Sequence, residues 1–222
     1  MKFLSGLSVF CLLSTPADAQ SVHQEFEGII TYKIILEAKL PDIKLERLKK
    51  SFGTTIEYFF KDGRYKWTAH GTDLEIEIFD PHSSLTSVVD KLYANDTLYF
   101  SDTGSSRDTV TNVTPGNPMD ILGITCKSAV FTVLIGGKSD RKLIRTLYYS
   151  PDTLQYNTDY YRAYRGHGQN IVSRYLGAHP LRTELNFVAL PFKIVYEAVS
   201  IESRKLTVAE FAINPALPSK SW

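Results

Sequence analysis

Three places in the sequence carry residue types that could do chemistry: Cys126 in the run ILGITCKSAVFTV, His167 in RGHG, and the triplet Gly137-Lys138-Ser139. A thiol such as Cys126 could be a nucleophile, a metal ligand, half of a disulfide or a small buried side chain. It alternates with Leu122 and Ile124, while Thr125 and Lys127 fall on the opposite face. An apolar face withholds solvation from a thiolate, so the pKa rises and the nucleophilicity falls. With no histidine nearby in sequence, the expected role is that of a buried small residue. His167, between glycines and near Arg162 and Arg165, is the best acid–base candidate. Its partner would have to come from elsewhere in the chain, and a surface loop is the simpler reading. Gly137-Lys138-Ser139 imitates the end of a phosphate-binding loop, but that motif needs a glycine where Thr132 stands and must lead into a helix. The triplet lies between two strand patterns and reads as a hairpin turn. Histidines at 23, 70, 82, 167 and 179 offer no close pair at metal-ligand spacing. No catalytic residue, metal site or cofactor is therefore assigned, and a non-enzymatic protein is expected.

The amino terminus suggests where the protein acts. Lys2, the apolar run Phe3 to Leu13, and Ala17-Asp18-Ala19 match the three regions of a secretory signal peptide. Cleavage after Ala19 would start the mature chain at Gln20 and remove Cys11, leaving Cys126 with no partner for a disulfide. Ser8-Val9-Phe10 lacks the small residues of a lipoprotein signal before Cys11. The apolar run is shorter than the roughly 20 residues that span a bilayer, and no later segment approaches that length. A soluble protein, periplasmic or secreted, is expected, with residues 20–222 forming one domain. Twenty-five basic and 24 acidic side chains give a net charge of +1. That balance argues against nucleic acid or an anionic membrane as the main partner. Asn95-Asp96-Thr97 and Asn112-Val113-Thr114 fit the N-glycosylation pattern, which matters only in a host that reads it.

The elements that would position any site are mostly strands. From Phe26 to Ala38 apolar residues recur at alternate positions, the mark of a strand with one buried face. Ile56 to Phe60 and Tyr65 to Ala69 flank Asp62-Gly63, which suits a two-residue type I′ turn. That turn sets Phe60 opposite Tyr65, Tyr58 opposite Trp67 and Ile56 opposite Ala69, with Lys61 against Arg64 and Glu57 against Thr68. Further strands are expected at Leu74–Phe79, Leu85–Tyr93, Leu98–Phe100, Val110–Val113, Ile124–Ile135, Lys142–Tyr149, Leu185–Ile201 and Leu206–Ile213. Pro41 to Phe52 carries Leu45, Leu48 and Phe52 at helical spacing, and the tyrosine-rich stretch Thr153 to Gly168 reads as a helical turn and loop across the sheet's mouth.

Taken in succession, FEGIITYKI, EYFFKDGRYKW, ILGITCKSAVF, RTLYYSPD, ALPFKIVYEA and VAEFAINPAL resemble segments of a group of uncharacterised exported proteins of Gram-negative bacteria. That group is itself similar to the periplasmic lipoprotein-carrier superfamily of LolA and LolB. The resemblance implies a mainly β fold with minor α: an antiparallel incomplete β-barrel, or strongly curved sheet, of about ten strands with short helical segments. It further implies a concave cavity that shields an apolar ligand, such as a lipid or acyl chain. Phe26, Ile30, Tyr32, Tyr58, Phe60, Tyr65, Trp67, Ile76, Ile194 and Tyr196 would form its wall. The same residues could fill a closed interior instead. The protein would then be a packed β scaffold serving as an interaction module for another cell-envelope protein.

Overall fold

The computed structural model describes residues 25–69, 71, 74–90, 97–213 and 216–221. The leader read at 1–19, His23, His70, the end of the strand read to Tyr93 and the turn at 94–96 lie outside the described residues. The strands are β1 (Gly28–Ala38), β2 (Thr55–Lys61), β3 (Arg64–Ala69), β4 (Leu74–Asp80), β5 (Leu85–Asp90), β6 (Leu98–Asp102) and β7 (Thr109–Pro115). They continue with β8 (Met119–Ile121), β9 (Ile124–Leu134), β10 (Lys142–Tyr149), β11 (Arg182–Phe187), β12 (Phe192–Ser203) and β13 (Ser219–Ser221). Two helices, α1 (Leu45–Phe52) and α2 (Gln169–Leu176), accompany them.

All thirteen strands belong to one curved, unclosed sheet in the order β13-β6-β5-β4-β3-β2-β1-β12-β11-β10-β9-β7, with β8 paired to β9. Pairing is antiparallel throughout, except for β13 beside β6. The curvature is strong. β3 and β10 lie five steps apart in the sheet, about 24 Å along it at the usual strand spacing. Yet Tyr65 on β3 is within electrostatic reach of the Arg145 guanidinium on β10. A register shift between Thr31 and Tyr32, where β1 meets β12, adds twist near the middle of the sheet.

The β2–β3 hairpin has the register expected from the sequence, with Phe60 opposite Tyr65, Tyr58 opposite Trp67 and Ile56 opposite Ala69. Asp62 and Gly63 both take positive φ, 49° and 75°, as a type I′ turn demands. A Cβ on Gly63 would come within 2.1 Å of Cγ of Tyr160, so that turn is also a packing surface. The Gly137-Lys138-Ser139 triplet lies in the connection from β9 to β10, as a turn between strands.

Several elements differ from the sequence expectation, β13 among them, which no pattern marked. The strand read from Leu185 to Ile201 is two, β11 and β12, parted by a turn that ends at Pro191; proline has no N–H to continue a ladder. Leu206–Ile213 is not a strand but a segment with a 3-10 turn at Val208–Phe211, opened by a Thr207/Glu210 capping box. The short β8 and its turn, with Leu122 and Gly123 at positive φ, precede β9. Leu122 is accordingly exposed, although the alternation placed it on the apolar face. Finally, α2 lies between Gly168 and Gly177, both left-handed.

Residues 150–181 form a strap across the concave face. Leu154, Tyr156, Tyr161 and Leu181 from the strap pack against Ile30, Phe60, Tyr65 and Phe79 of the sheet. Val172 and Leu176 of α2 cover Phe131, Val133, Leu143 and Leu147. Tyrosine hydroxyls fasten the strap: Tyr32 donates to the Pro180 carbonyl at 2.8 Å, Tyr65 and Tyr164 are 3.2 Å apart, and Tyr58 bonds Tyr161. At the other end of the concave face, Leu45, Leu48 and Phe52 of α1 cover Leu36, Phe192 and Ile194.

Candidate ligand-binding recess

The sheet register places the inward-facing side chains. Across β2, β3 and β4 these include Tyr58, Trp67 opposite it, and Glu77 opposite Trp67. Across β12, β11 and β10 they include Tyr196 opposite Thr183, then Leu185 opposite Arg145. The curl of the sheet turns these two sets toward each other, close enough for Glu77 to influence the Tyr196 phenol. The strap covers one end of the face and α1 the other. Between them Tyr58, Trp67, Glu77, Arg145, Tyr164 and Tyr196 remain only half-buried.

Burial governs the protonation of these side chains. Burial pushes the Tyr58 phenol well above its ordinary value and Tyr196 up to about 12. It raises the Glu77 carboxyl, against hydrogen bonds from Tyr65 and Trp67, and lowers the Arg145 guanidinium to about 10. These groups are thus poorly solvated on the inward side of the sheet. Tyr65 donates to Glu77 at 2.6 Å, so the wall is phenolic and partly charged as well as aromatic.

The ten wall residues named from sequence divide accordingly. Tyr58, Trp67 and Tyr196 are half-buried on the inward face, packed against the core cluster. Phe26, Ile30, Tyr32, Phe60 and Tyr65 are buried in the packed end under the strap. There the His179 ring sits 4.2 Å from that of Phe60 and 5.8 Å from that of Phe26. Ile194 lies under α1. Ile76 sits on the opposite face: Phe79 pairs with Tyr65 and Ile76 with Thr68, so Glu77 takes the inward position. Outward-facing Ile78, two residues on, shares an outer groove with Phe211 and Ala212.

Glu77 and Arg145 were not singled out in the sequence, though a signal was present. Arg145 stands midway between the inward-facing Leu143 and Leu147, and Glu77 two residues before the inward-facing Phe79. Alternation alone would have placed Arg145 on the buried face, whereas Glu77 is fixed only by the side that Phe79 takes.

The other chemical candidates resolve differently. Cys126 is fully buried, its Sγ 3.5 Å from the Ile124 carbonyl. Burial, then the charge of Asp120, raises its pKa. His167 has positive φ, its backbone N–H donates to Asp108 at 2.7 Å, and its ring meets Phe187 edge-on at 6.0 Å. Burial, then Arg145, lowers its pKa. Among the described residues no group of three or more His, Cys, Asp or Glu side chains could hold a metal ion, and no helix is long and apolar enough to cross a membrane. Outer clefts of about 540 Å³ and 410 Å³ lie elsewhere. The larger is bordered by Glu27 and Arg204, whose charges are already paired with Lys61, Lys205 and Glu210.

No protein-family model matches the chain, and a comparison with curated proteins finds no match. Solved structures similar to it include the lipoprotein LppX of Mycobacterium tuberculosis, at 12% identity and a TM-score of 0.38 over 82% of this chain and 90% of that one. A LolA superfamily protein of Nitrosomonas europaea is similar at 10% identity and a TM-score of 0.38, over 85% of this chain and 91% of the other. The superfamily that the sequence resembles is thus represented among them.

Proposed function

We propose that the protein is an exported, non-enzymatic binding or carrier protein for a lipidic or other apolar ligand, held in the recess between α1 and the strap. The observation that carries this reading is the set of aromatic side chains, Tyr58, Trp67 and Tyr196, that face inward and keep accessible surface within a poorly solvated enclosure. Burying a methylene there is worth about 0.8 kcal/mol, so ten contribute about 8 kcal/mol before ordering costs. That approaches micromolar affinity. The alternative, a packed scaffold for an envelope protein partner, requires the concave face to be filled, and the half-buried wall argues against it. Export rests on the leader read at residues 1–19, with the domain at 20–222 as the mature carrier. Native mass spectrometry of protein purified from its own envelope tests the proposal. A bound species of lipid mass, released by organic solvent, is expected. Apo protein that also fails to take up a long-chain fatty acid in titration would overturn it.

A further inference from the structure

A purely apolar ligand leaves Arg145 without a use. The residue stands on the concave face of β10 between Leu143 and Leu147, which are 0% and 1% exposed. Its Nη1 donates to the His167 carbonyl at 2.9 Å, and Nη2 reaches Gln169 Oε1 at 3.3 Å, a long hydrogen bond. Nε is buried with no partner. Among the described residues no carboxylate pairs with Arg145; the titratable groups acting on it are the phenols of Tyr65, Tyr156 and Tyr164 and the nearby His167 ring. Arg182, by contrast, pairs with both Glu184 and Glu197. An enclosed cation without a counter-ion is costly. Anchoring the strap through His167 explains Nη1, but it explains neither the charge nor the unpartnered Nε.

We propose that Arg145 is a head-group site: the recess takes an amphiphile whose anionic head, carboxylate or phosphate, seats on the Nε–Nη2 edge while its chain runs along Tyr58, Trp67 and Tyr196. That edge matches the two oxygens of a carboxylate or phosphate. The Gln169 amide, held only by its long bond, is the group such a head displaces. Glu77 on the facing wall disfavours an anion there and so gives the ligand its direction. This inference rests on the apolar-ligand function proposed above.

The test is calorimetric titration of the full mature chain, below micelle concentrations. The ligands are a long-chain fatty acid, its methyl ester, and a monoacylglycerol phosphate of the same chain. Wild type is expected to bind one or both anions about 10- to 100-fold tighter than the ester, about 1.4–2.8 kcal/mol at 1.4 kcal/mol per tenfold. The two anionic arms distinguish carboxylate from phosphate. Arg145→Met should erase that preference, and Arg145→Lys should restore part of it. Equal binding of acid, phosphate and ester by wild type would overturn the head-group site and leave the carrier function standing. No binding of any of the three would remove the function itself, and the site with it. The wild-type comparison decides the matter even if Arg145→Met fails to fold.

Discussion

Truncating Trp67 to alanine separates an open recess from a filled interior. An aromatic side chain of this size buries about 150–250 Å² when enclosed. Trp67 is partly buried against the core, with at most about a third of that area, about 50–80 Å², left accessible to a ligand. At about 25 cal/mol per Å², a ligand lying on it gains about 1.3–2 kcal/mol. Trp67→Ala should therefore weaken binding of a fluorescent fatty acid by about 10- to 30-fold. The larger, protein-covered part predicts a stability loss of about 2.5–4 kcal/mol. To this is added the loss of the indole N–H that Trp67 gives to Glu77. Trp67→Phe serves as the control: it keeps most of the apolar area and should recover most of the affinity without restoring that hydrogen bond. Urea denaturation and equilibrium titration of the three proteins supply both quantities. Unchanged affinity in Trp67→Ala would refute the placement of the ligand. A stability loss near 5 kcal/mol, with no binding by wild type, would refute the recess altogether.

Three further outcomes follow from single residues. Cys126→Ala should cost about 1 kcal/mol and leave ligand binding unchanged, with the native thiol resisting a neutral-pH thiol reagent; rapid labelling would contradict its burial. Gly63→Ala should destabilise the hairpin by more than 1 kcal/mol in urea denaturation, since φ is +75° and the new Cβ meets the Tyr160 ring; a neutral result would mean that the turn is not type I′. Burial raises the folded-state pKa of Glu77, so folding is favoured below its unfolded pKa and that contribution is lost as pH rises through the folded value. Glu77→Gln, which cannot ionise, should therefore gain stability over wild type at pH 7–8 and lose the advantage below about pH 4, and a constant difference across that range would show that Glu77 does not titrate in this way.

Much of the frame was legible in the sequence because it depends on local rules. Asp62-Gly63 dictates one turn type, and that turn dictates the pairing of Tyr58 with Trp67. The alternation in Lys142–Tyr149 marks β10 to the residue. The site was less legible, because a face is a property of the partner strand as well as the strand itself. In LEIEIFD the isoleucines and the glutamates alternate equally well. The choice between them is made by Phe79 packing on Tyr65 and Tyr161, and by the segment around Phe211 that buries Ile78 from outside. That outer cover is a 3-10 segment whose pattern reads as a strand, so a second apolar home for the isoleucines is not legible from the residues alone.

The tyrosine-rich strap shows why the concave face is not simply oily. A wholly apolar strap would collapse onto the sheet and leave no room for a ligand. Here the strap is attached through hydroxyls at Tyr32, Tyr58 and Tyr65, bonds that work at defined lengths and angles and therefore hold it at a fixed height. Each is worth only about 1 kcal/mol net, small beside the burial of Tyr161 and Leu181 at the packed end. Packing thus fixes one end of the strap and hydrogen bonds set its spacing. The side chains toward the middle of the face, Trp67, Glu77 and Arg145, are left half-buried. A sheet that closed into a complete barrel would pair the edges of β7 and β13 and fix its own diameter. The sheet stays open between those edges, so it is the strap that spans the concave face.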